Sequence, residues 1–327
     1  MVYNFCTLFD SNYIHKGLAL YNSLSSVSGN FHLYVVAFDD QCYKILSDLH
    51  LSNLTVIAQS EIENDELLNV KPTRNRAEYC WTAGPTMIYY FIKQYNLEHC
   101  TYVDADLMFF STPSVIYDEI GDNSIAITEH FSNEIDELGG RFCVQFVYFK
   151  NDENGMSALR WWRDECINWC FARFEDGKYG DQKYLDYFPV KFNKVKVIEN
   201  RGVGVANWNA FQYDFSKYGK IYYNMQKIDL VFYHFHGVKI DLIENTLTLK
   251  TVTYDISLDL KKNVFLPYLQ VVKSVYTDYL NLEVANTKIR NRHFIEQFYS
   301  ILKRKLRDNK IVQFIYYEIL KNKYNGY

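Results

Sequence analysis

The sequence predicts an α/β protein whose strands are joined by crossover helices into a largely parallel sheet. Apolar runs at residues 2–9, 31–38 and 54–58 alternate with segments of helical periodicity, and this alternation is typical of such a sheet. Asp10 follows the first run directly, and Asp104-Ala-Asp106 follows a later one. Ligands of parallel sheets bind at the carboxyl ends of the strands, so we expect these aspartates at the functional site.

The other elements are predicted in chain order from similar patterns. Apolar spacing between residues 18 and 24 predicts a first helix, and a later helix is predicted over residues 81–95. A long tryptophan-rich helix is predicted over residues 154–174, with its end at 175–177, because glycine commonly follows the last helical turn. Further strands are predicted at residues 100–103, 124–128, 143–149 and 229–235.

Composition restricts the class of protein and its compartment. Hydrophobic residues make up 48% of the 327 residues, enough for one large domain or for one domain with a smaller appendage. The net charge of -4 argues against a nucleic-acid-binding protein. Seven cysteines without a Cys-x-x-Cys pair predict reduced thiols, and residues 1–6 predict a strand rather than a secretion leader. Because no apolar run is long enough to span a membrane, we expect a cytoplasmic protein.

Two carboxylates, Asp104 and Asp106, interrupt an apolar run between residues 100 and 110. Burying a carboxylate is unfavourable unless a partner compensates its charge. Aspartate oxygens are hard ligands suited to Mn²⁺ or Mg²⁺, so a metal ion that bridges a diphosphate is one such partner. The alternative is a turn between two strands in which both aspartates are solvated.

Basic residues precede the helix predicted at residues 81–95. Arg74 and Arg76 lie in this segment, which begins at Lys71 and ends at Glu78. One interpretation is that Arg74 or Arg76 contacts a phosphate group. The alternative is a solvated first turn of the helix.

Residues 288–327 differ in charge from the rest of the chain. They hold ten lysines and arginines against three acidic residues, interleaved with apolar and aromatic side chains. This composition is typical of a basic amphipathic helix that contacts anionic lipid, which here predicts peripheral contact with the inner face of the membrane. The alternative is a helical cap packed on the main domain with a solvated basic face.

Three motifs occur in the order expected of a known enzyme family: Asp10-Ser-Asn-Tyr13, Asp104-Ala-Asp106 and His234-Phe-His-Gly237-Val-Lys239. Together they resemble the signatures of glycogenin and the lipopolysaccharide galactosyltransferases, the family 8 type of retaining glycosyltransferases. Asp181-Gln182 and Trp208-Asn209 resemble two further stretches of that family. The resemblance covers about residues 1–240 and is strongest to bacterial members found among surface-polysaccharide enzymes.

The resemblance implies a GT-A fold, in which a Rossmann-like mixed sheet is flanked by helices. Residues 1–250 would form the nucleotide-sugar-binding and catalytic domain, and residues 251–327 a C-terminal helical, basic-aromatic region. The implied activity is a metal-dependent, retaining transfer of a hexose from a nucleoside-diphosphate sugar, with UDP-sugar expected, to a glycan or lipid-linked acceptor. Surface polysaccharide synthesis is the implied setting.

The resemblance also assigns residues to the metal and to the diphosphate. Asp104, Asp106 and His234 would bind Mn²⁺ or Mg²⁺, and Asp104 would also reach the ribose or the sugar. Gly237 would let the backbone approach the phosphates, and Lys239 would add a positive charge there. A bound cation of this kind offsets charge on the departing nucleoside diphosphate.

The remaining assignments concern the nucleoside and the transferred sugar. Tyr13 would stack on the uracil, and Asp10 and Asn12 would form hydrogen bonds with the base or the ribose. Asp181 and Gln182 match residues beside the anomeric carbon. Asp181 would be a nucleophile or a ligand of a sugar hydroxyl, whereas Gln182 would stabilise positive charge on the sugar, and the residues alone do not decide between the two roles of Asp181.

The chain departs from the family pattern at two strands and one helix. Trp81 stands where an arginine is usual, so Arg76 or Arg74 is expected to replace that arginine at the donor. Gln145 lies in the strand that usually carries an acceptor-side asparagine, and the last motif is one residue shorter before Lys239. The alternative function is a catalytically degenerate GT-A nucleotide-binding scaffold, against which the three intact metal ligands argue. A sugar-nucleotide pyrophosphorylase would need a glycine-rich loop that residues 9–16 lack.

Overall fold

The computed structural model describes residues 2–132, 139–251 and 256–290. The strands are β1 Tyr3–Phe9, β2 Phe31–Ala37, β3 Leu54–Ala58, β4 His99–Val103, β5 Leu107–Phe109, β6 Ile125–Glu129, β7 Phe142–Lys150, β8 Val195–Ile198, β9 Val205–Ala206, β10 Asp214–Lys217, β11 Lys220–Tyr223, β12 Gln226–Asp229, β13 Phe232–His234, β14 Val238–Ile243, β15 Thr246–Thr251 and β16 Asn286–Arg290. The helices are α1 Ile14–Val27, α2 Asp40–Asp48, α3 Gln59–Ile62, α4 Asp65–Val70, α5 Arg76–Gln94, α6 Ser114–Ile120, α7 Glu153–Asn168, α8 Phe188–Lys191, α9 Leu258–Leu260 and α10 Leu266–Ser274.

The main sheet has seven strands in the order β3-β2-β1-β4-β7-β6-β8. Strands β3, β2, β1 and β4 are parallel, whereas β7 runs antiparallel to both of its neighbours. The predicted mixed sheet flanked by helices is therefore confirmed. Because β1 and β4 are parallel neighbours, the residues that follow them, Asp10 and Asp104, lie at the same edge of the sheet.

A smaller sheet of three strands, in the order β5-β13-β9, carries the second half of the aspartate motif. The chain leaves β4 at Asp104, turns, and enters β5 after Asp106. Strand β13 is antiparallel to β5, and His234 is paired in register with Leu107. This pairing places the histidine, about 130 residues later in the sequence, beside the turn that holds the two aspartates.

Buried side chains form a hydrophobic cluster on each face of the main sheet. One cluster includes Leu18 and Leu20 of α1 together with Leu269 and Val272 of α10. Residues after position 256 therefore bury apolar surface against the first helix of the chain. The division of the chain at residue 250 stays a prediction.

Three predicted boundaries differ in the structure, the first being the start of α5 at Arg76 rather than at residue 81. Helix α7 ends at Asn168 rather than at residue 174, and Asp176 and Gly177 form a tight turn between Glu175 and Lys178, where both have positive φ angles. Such a turn needs left-handed residues in the same way as a helix end, so the sequence signal has two structural meanings. The predicted strand 229–235 is divided, since β12 ends at Asp229 and β13 begins at Phe232.

The C-terminal prediction is tested in part. Two π-helical turns, Lys261–Phe265 and Val275–Tyr279, flank α10, but residues 286–290 form β16, parallel to β15. The expected helix over residues 288–327 is therefore wrong for its first three residues, whose backbone pairs with an existing strand. Residues 291–327 lie outside the described residues. No helix in the described ranges has both the length and the apolar composition required to cross a membrane.

Candidate active site

Asp104, Asp106 and His234 form one cluster at the carboxyl end of β4. One ligand atom from each side chain lies within 4.8 Å of the other two. His234 Nε2 is 3.0 Å from Asp106 Oδ1 and 3.5 Å from Asp104 Oδ2. Two carboxylates and an imidazole suit a hard divalent cation such as Mn²⁺ or Mg²⁺, and such a cation would compensate two buried negative charges. The predicted metal ligands thus fit the group they were expected to hold.

The electrostatics of this cluster reflect its burial. Burial raises the pKa of Asp104, an effect that His234 opposes and Asp106 reinforces. Burial acts in the same direction on Asp106, but His234 and Lys16 outweigh it and hold the pKa of that carboxyl below its usual range. Burial disfavours the charged form of His234, yet the Asp106 and Asp104 carboxylates outweigh it and raise the pKa of the imidazole. The two carboxylates thus favour the protonated form of His234, and the imidazole in turn favours their ionised forms.

His234 is oriented by groups from two other elements. Its Nδ1 lies 2.9 Å from Oε1 of Gln145, a fully buried residue of β7. The ring of Trp208 contacts the imidazole edge to face, with 5.2 Å between ring centroids. When Nδ1 donates its proton to Gln145, the Nε2 lone pair faces the aspartates and is available to a metal.

The Trp208-Asn209 stretch and the preceding Asn207 form hydrogen bonds that hold the backbone near the cluster. Trp208 Nε1 donates to the carbonyl of His130 over 2.8 Å, and Asn209 Nδ2 donates to the same carbonyl over 2.9 Å. The side chain of Asn207 donates to the carbonyl of His236 over 2.7 Å, which holds the turn after β13. These residues do not belong to the metal cluster, and their hydrogen bonds fix the loop on which His234 depends.

Lys16, on the first turn of α1, also reaches the cluster. Its Nζ lies 3.5 Å from Asp106 Oδ2 and 4.2 Å from the ring centroid of Tyr13. Only 4% of this lysine is exposed. A buried lysine requires a charge partner, and Asp106 supplies one.

Asp10 and Arg76 form an ion pair at the adjoining strand end. Arg76 Nε lies 2.7 Å from Asp10 Oδ2, and its Nη2 lies 3.4 Å from Asp39 Oδ2. Asp39 also accepts hydrogen bonds from the backbone and hydroxyl of Ser11, at 2.9 Å each. The guanidinium of Arg76 is exposed, so it can contact a ligand while it remains paired.

The two arginines before α5 have different surroundings. Arg74 stacks on the ring of Phe171, 3.8 Å from its centroid, and donates to the carbonyl of Ile167 over 3.2 Å. It therefore ties the start of α5 to the end of α7. Of the two arginines proposed from the sequence, only Arg76 contacts a predicted donor-binding residue.

Asn12 and Tyr13 lie on the short helical turn after β1. Asp10 Oδ1 accepts the backbone N–H of Asn12 over 2.9 Å and so shapes this turn. The Asn12 side chain is exposed, and the Tyr13 ring is 43% exposed. An exposed ring above a buried ammonium is suited to stacking on a planar ligand, the role that the resemblance implies.

Asp181 and Gln182 begin the helical turn 182–187. Asp181 is buried, and burial together with the charge of Asp104 raises its pKa to about 7. Its backbone carbonyl accepts Trp162 Nε1 over 2.9 Å. Gln182 Nε2 donates to the carbonyl of Gly139 over 2.9 Å. Asp181 is thus within electrostatic reach of the cluster without being one of its three ligands, and the catalytic roles of both residues stay predictions.

Gly237 and Lys239 follow His234, the histidine of the candidate metal cluster. The backbone N–H of Phe235 donates to the carbonyl of Asp106 over 2.9 Å, which joins the two motifs directly. Gly237 has φ 69°, a left-handed conformation that favours glycine. Lys239 lies on β14 with an exposed side chain, and within the described ranges its ammonium has no hydrogen bond or ion pair. Its assignment to the diphosphate remains a prediction.

Four residues of the site were not predicted from the sequence: Lys16, Asp39, Gln145 and Tyr102. Tyr102 donates its hydroxyl proton to Asp104 Oδ1 over 2.9 Å. Asp39 had a sequence signal, because it directly follows the second predicted strand. Gln145 was noted only as a departure from the family's acceptor-side asparagine, and Lys16 had no signal, since it lies within an ordinary apolar helix pattern. An open groove of about 950 Å³ bordered by Glu119 and Arg201 shares no residue with the predicted site.

Two proteins of Bacillus subtilis strain 168, both described as uncharacterized, are similar in sequence to this chain. YfnF is 33% identical over 248 residues, which cover 72% of this chain and 82% of YfnF. YfnD is 29% identical over 314 residues, which cover 90% of this chain and 98% of YfnD. No family model matches the chain.

The fold is shared with the solved structure of the galactosyltransferase LgtC in complex with donor and acceptor sugar analogs. The TM-score is 0.53 at 13% sequence identity, over 83% of this chain and 95% of LgtC. The fold is thus the GT-A fold of glycosyltransferases, consistent with the family 8 resemblance of the motifs, and the predicted fold class is confirmed.

Proposed function

This chain belongs to the same protein family as Bacillus subtilis YfnF, and we propose that it is a metal-dependent glycosyltransferase. Its donor is a nucleoside-diphosphate hexose, with UDP as the carrier, and its acceptor is a glycan or a lipid-linked glycan in surface polysaccharide synthesis. The observation that carries this proposal is the Asp104, Asp106 and His234 cluster at the carboxyl end of a GT-A sheet. The presence of donor and acceptor sugar analogs in LgtC, which shares the fold, supports the same class of substrate.

The three ligands would hold Mn²⁺ or Mg²⁺, which when bound offsets the negative charge of a departing diphosphate. Gln145 orients the imidazole through the 2.9 Å contact at Nδ1. Tyr102 holds one oxygen of Asp104, which leaves the other directed at His234. The chain thereby pre-organises its ligands before a cation or a donor binds, and this reduces the ordering cost of binding.

The nucleoside would lie against the end of β1. Tyr13 stacks on the base, while Asp10 and Asn12 form hydrogen bonds with the base or the ribose. Arg76 holds Asp10 in place through the 2.7 Å ion pair and presents its exposed guanidinium to the donor. The sugar then extends from the diphosphate toward Asp181.

The transferred hexose would lie beside Asp181 and Gln182. With a pKa raised to about 7, Asp181 is partly protonated at neutral pH, and in that form it can donate a hydrogen bond to a sugar oxygen. This property favours the role of a sugar-hydroxyl ligand over that of a strong nucleophile. Transfer with retention then relies on the leaving phosphate to accept the acceptor proton, as the family resemblance implies.

A panel of sugar nucleotides tests the proposed function. UDP-, GDP-, CMP- and dTDP-sugars are each added with Mn²⁺ and with EDTA, and thermal unfolding and donor hydrolysis are measured. We expect Mn²⁺-dependent stabilisation and slow hydrolysis with a UDP-hexose. Metal-dependent binding without turnover of any donor and acceptor would instead identify a nucleotide-binding scaffold. The absence of any metal-dependent response to a nucleotide would contradict both functions.

A further inference from the structure

Among the described residues, Lys16 is the one side chain outside the motifs that forms an ion pair with the Asp104, Asp106 and His234 cluster. It lies three residues after Tyr13 and is 4% exposed. Immobilising and burying a lysine opposes both its side-chain entropy and its hydration, so such a residue needs a specific compensating interaction. Its single ion-pair partner within the described ranges is Asp106, at 3.5 Å.

The ion pair between Lys16 and Asp106 is longer than usual and uses only part of the donor capacity of the ammonium. A charge-assisted N–H to oxygen bond usually spans about 2.7–2.9 Å, whereas Lys16 Nζ lies 3.5 Å from Asp106 Oδ2. An ammonium has three N–H donors, and within the described ranges only the Asp106 carboxylate accepts one. Lys16 therefore retains donor capacity at a buried position beside the metal ligands.

Lys16 contacts two other residues, Tyr13 and Asp106, that are expected at the ends of the donor nucleotide. Its Nζ is 4.2 Å from the Tyr13 ring, where the base would stack, and it adjoins Asp106, where the metal would bind. In a nucleoside diphosphate the phosphates connect the base-bearing ribose to the metal. The first turn of a 14-residue helix, α1, adds its own partial positive charge at the same place.

A second hydrogen-bond donor lies on α10, beside the residue that follows His234. The hydroxyl of Tyr268 is buried and has no hydrogen-bond partner in the part of the chain that the structure describes, and its ring stacks on Phe235 with 3.7 Å between centroids. Burial, followed by the charges of Asp106 and Tyr13, raises the pKa of Tyr268 well above its usual value. Phe235, on which the ring stacks, donates its backbone N–H to the carbonyl of Asp106 over 2.9 Å. Leaving a buried hydroxyl without a partner is unfavourable, and a phosphate oxygen would provide the missing acceptor.

We propose that Lys16 binds the diphosphate of the donor and stabilises the negative charge of the leaving nucleoside diphosphate. This inference rests on the proposed function. When a cation binds Asp106, the carboxylate charge that holds Lys16 is shared with the cation, and the ammonium can turn toward phosphate oxygens. Lys16 thereby supplies from α1 a buried positive charge, in addition to whatever the exposed Lys239 contributes from β14.

Calorimetric titration of the full chain in saturating Mn²⁺ tests the proposal with three ligands: uridine, UMP and UDP. For Lys16→Met we expect UDP affinity to fall about tenfold or more, because a hydrogen bond to a charged group is lost, with uridine affinity unchanged. Lys16→Arg should recover part of the loss. Lys93→Met, which removes an exposed lysine at the far end of α5, is the matched control and should bind like the wild type.

Mn²⁺ titration without nucleotide supplies a second readout. If Lys16 binds phosphate, Lys16→Met should retain Mn²⁺ affinity or increase it, because a competing cation has been removed from Asp106. A parallel loss of Mn²⁺, uridine and UDP affinity would show a merely structural role and overturn the proposal. If the methionine variant does not fold, Lys16→Gln is subjected to the same comparison.

Different results would refute the proposed function and the role of Lys16. A wild-type protein that binds no nucleoside diphosphate with Mn²⁺ refutes the proposed function itself. A wild-type protein that binds UDP, together with a folded Lys16→Met variant that binds it equally well, refutes only the role of Lys16.

Discussion

Gln145 Oε1 and His234 Nδ1 lie 2.9 Å apart, while the amide nitrogen of Gln145 is buried and has no hydrogen-bond partner among the described residues. The amide oxygen of the glutamine therefore contacts the histidine, whereas the amide nitrogen is left unsatisfied by these residues. Such an arrangement is costly for stability but fixes the imidazole with Nε2 toward Asp104 and Asp106. It also explains why a long polar residue is present in the middle of β7, an otherwise apolar strand.

Gln145→Leu should weaken Mn²⁺ binding roughly tenfold or more, as loss of a hydrogen bond that orients a metal histidine usually does. Because the change also removes an unsatisfied buried amide, we expect little loss of thermal stability. The measurement is calorimetric titration with Mn²⁺ beside thermal unfolding in EDTA. Gln226→Leu, on the exposed strand β12, is the control, and equal Mn²⁺ affinity in both variants would contradict the orienting role.

Asp106→Asn and His234→Ala should each abolish Mn²⁺-dependent nucleotide binding and donor turnover. Each removes one of three ligands, and two remaining groups cannot hold a hard cation tightly. Folding should persist, since both residues lie at the end of the sheet rather than within the apolar clusters. Circular dichroism and nucleotide titration check this, with the exposed Asp122→Asn as control. Normal turnover in either variant would remove the metal assignment.

Asp181 should make the stability of the metal-free protein depend on pH. Its pKa is raised from 3.8 to about 7 in the folded state, chiefly by burial and then by Asp104. The folded state thus holds a proton that the unfolded chain releases above about pH 4, so this contribution falls as pH rises from about 4 to 7 and stays low above that. In EDTA, Asp181→Asn should unfold at a higher temperature than wild type at pH 8 and show a smaller difference at pH 5. A difference independent of pH would contradict the raised pKa.

Arg76 and Arg74 form a natural pair for comparison. Arg76→Met should lower affinity for the nucleotide donor with little change in unfolding temperature, because its guanidinium is exposed and pairs with Asp10. Arg74→Met should instead lower the unfolding temperature with little change in affinity for the donor, since Arg74 stacks on Phe171 and joins α5 to α7. Both variants are assayed by thermal unfolding and UDP titration. An exchange of the two outcomes would assign the donor contact to Arg74.

Deletion of residues 291–327 tests the predicted membrane contact. The deletion is placed after Arg290 so that strand β16 is retained. We expect weaker binding to vesicles that contain anionic lipid, most clearly at low ionic strength, with unchanged hydrolysis of a soluble donor. Sedimentation with anionic and neutral vesicles is the measurement. Loss of folding on truncation would favour the alternative of a packed structural cap.

Much of the fold was predictable because it is encoded locally. The apolar runs of β1, β2 and β3 and the turns that end them require only short-range information, and their order indicates a parallel sheet. Local signals were less reliable where one residue pattern serves two structures. The Asp176-Gly177 pair predicted a helix end but forms a tight turn. The polar residues before residue 81 were not predicted as helical, but Asn75 and Glu78 form a capping box, so α5 begins five residues before its predicted start.

The candidate metal ligands Asp104, Asp106 and His234 were predictable as residues because they stand in motifs. Lys16 and Gln145 were not, because an amphipathic pattern records only which face is buried and not what that face meets. Their functions depend on the pairing of β13 with β5 and on the placement of α1 beside the turn after β4. The resulting Lys16–Asp106 and Gln145–His234 contacts join residues about 90 positions apart, and the free energy that selects them comes from the whole core. Sequence thus specified the chemistry available to this protein, and tertiary packing decided which buried lysine and which glutamine surround it.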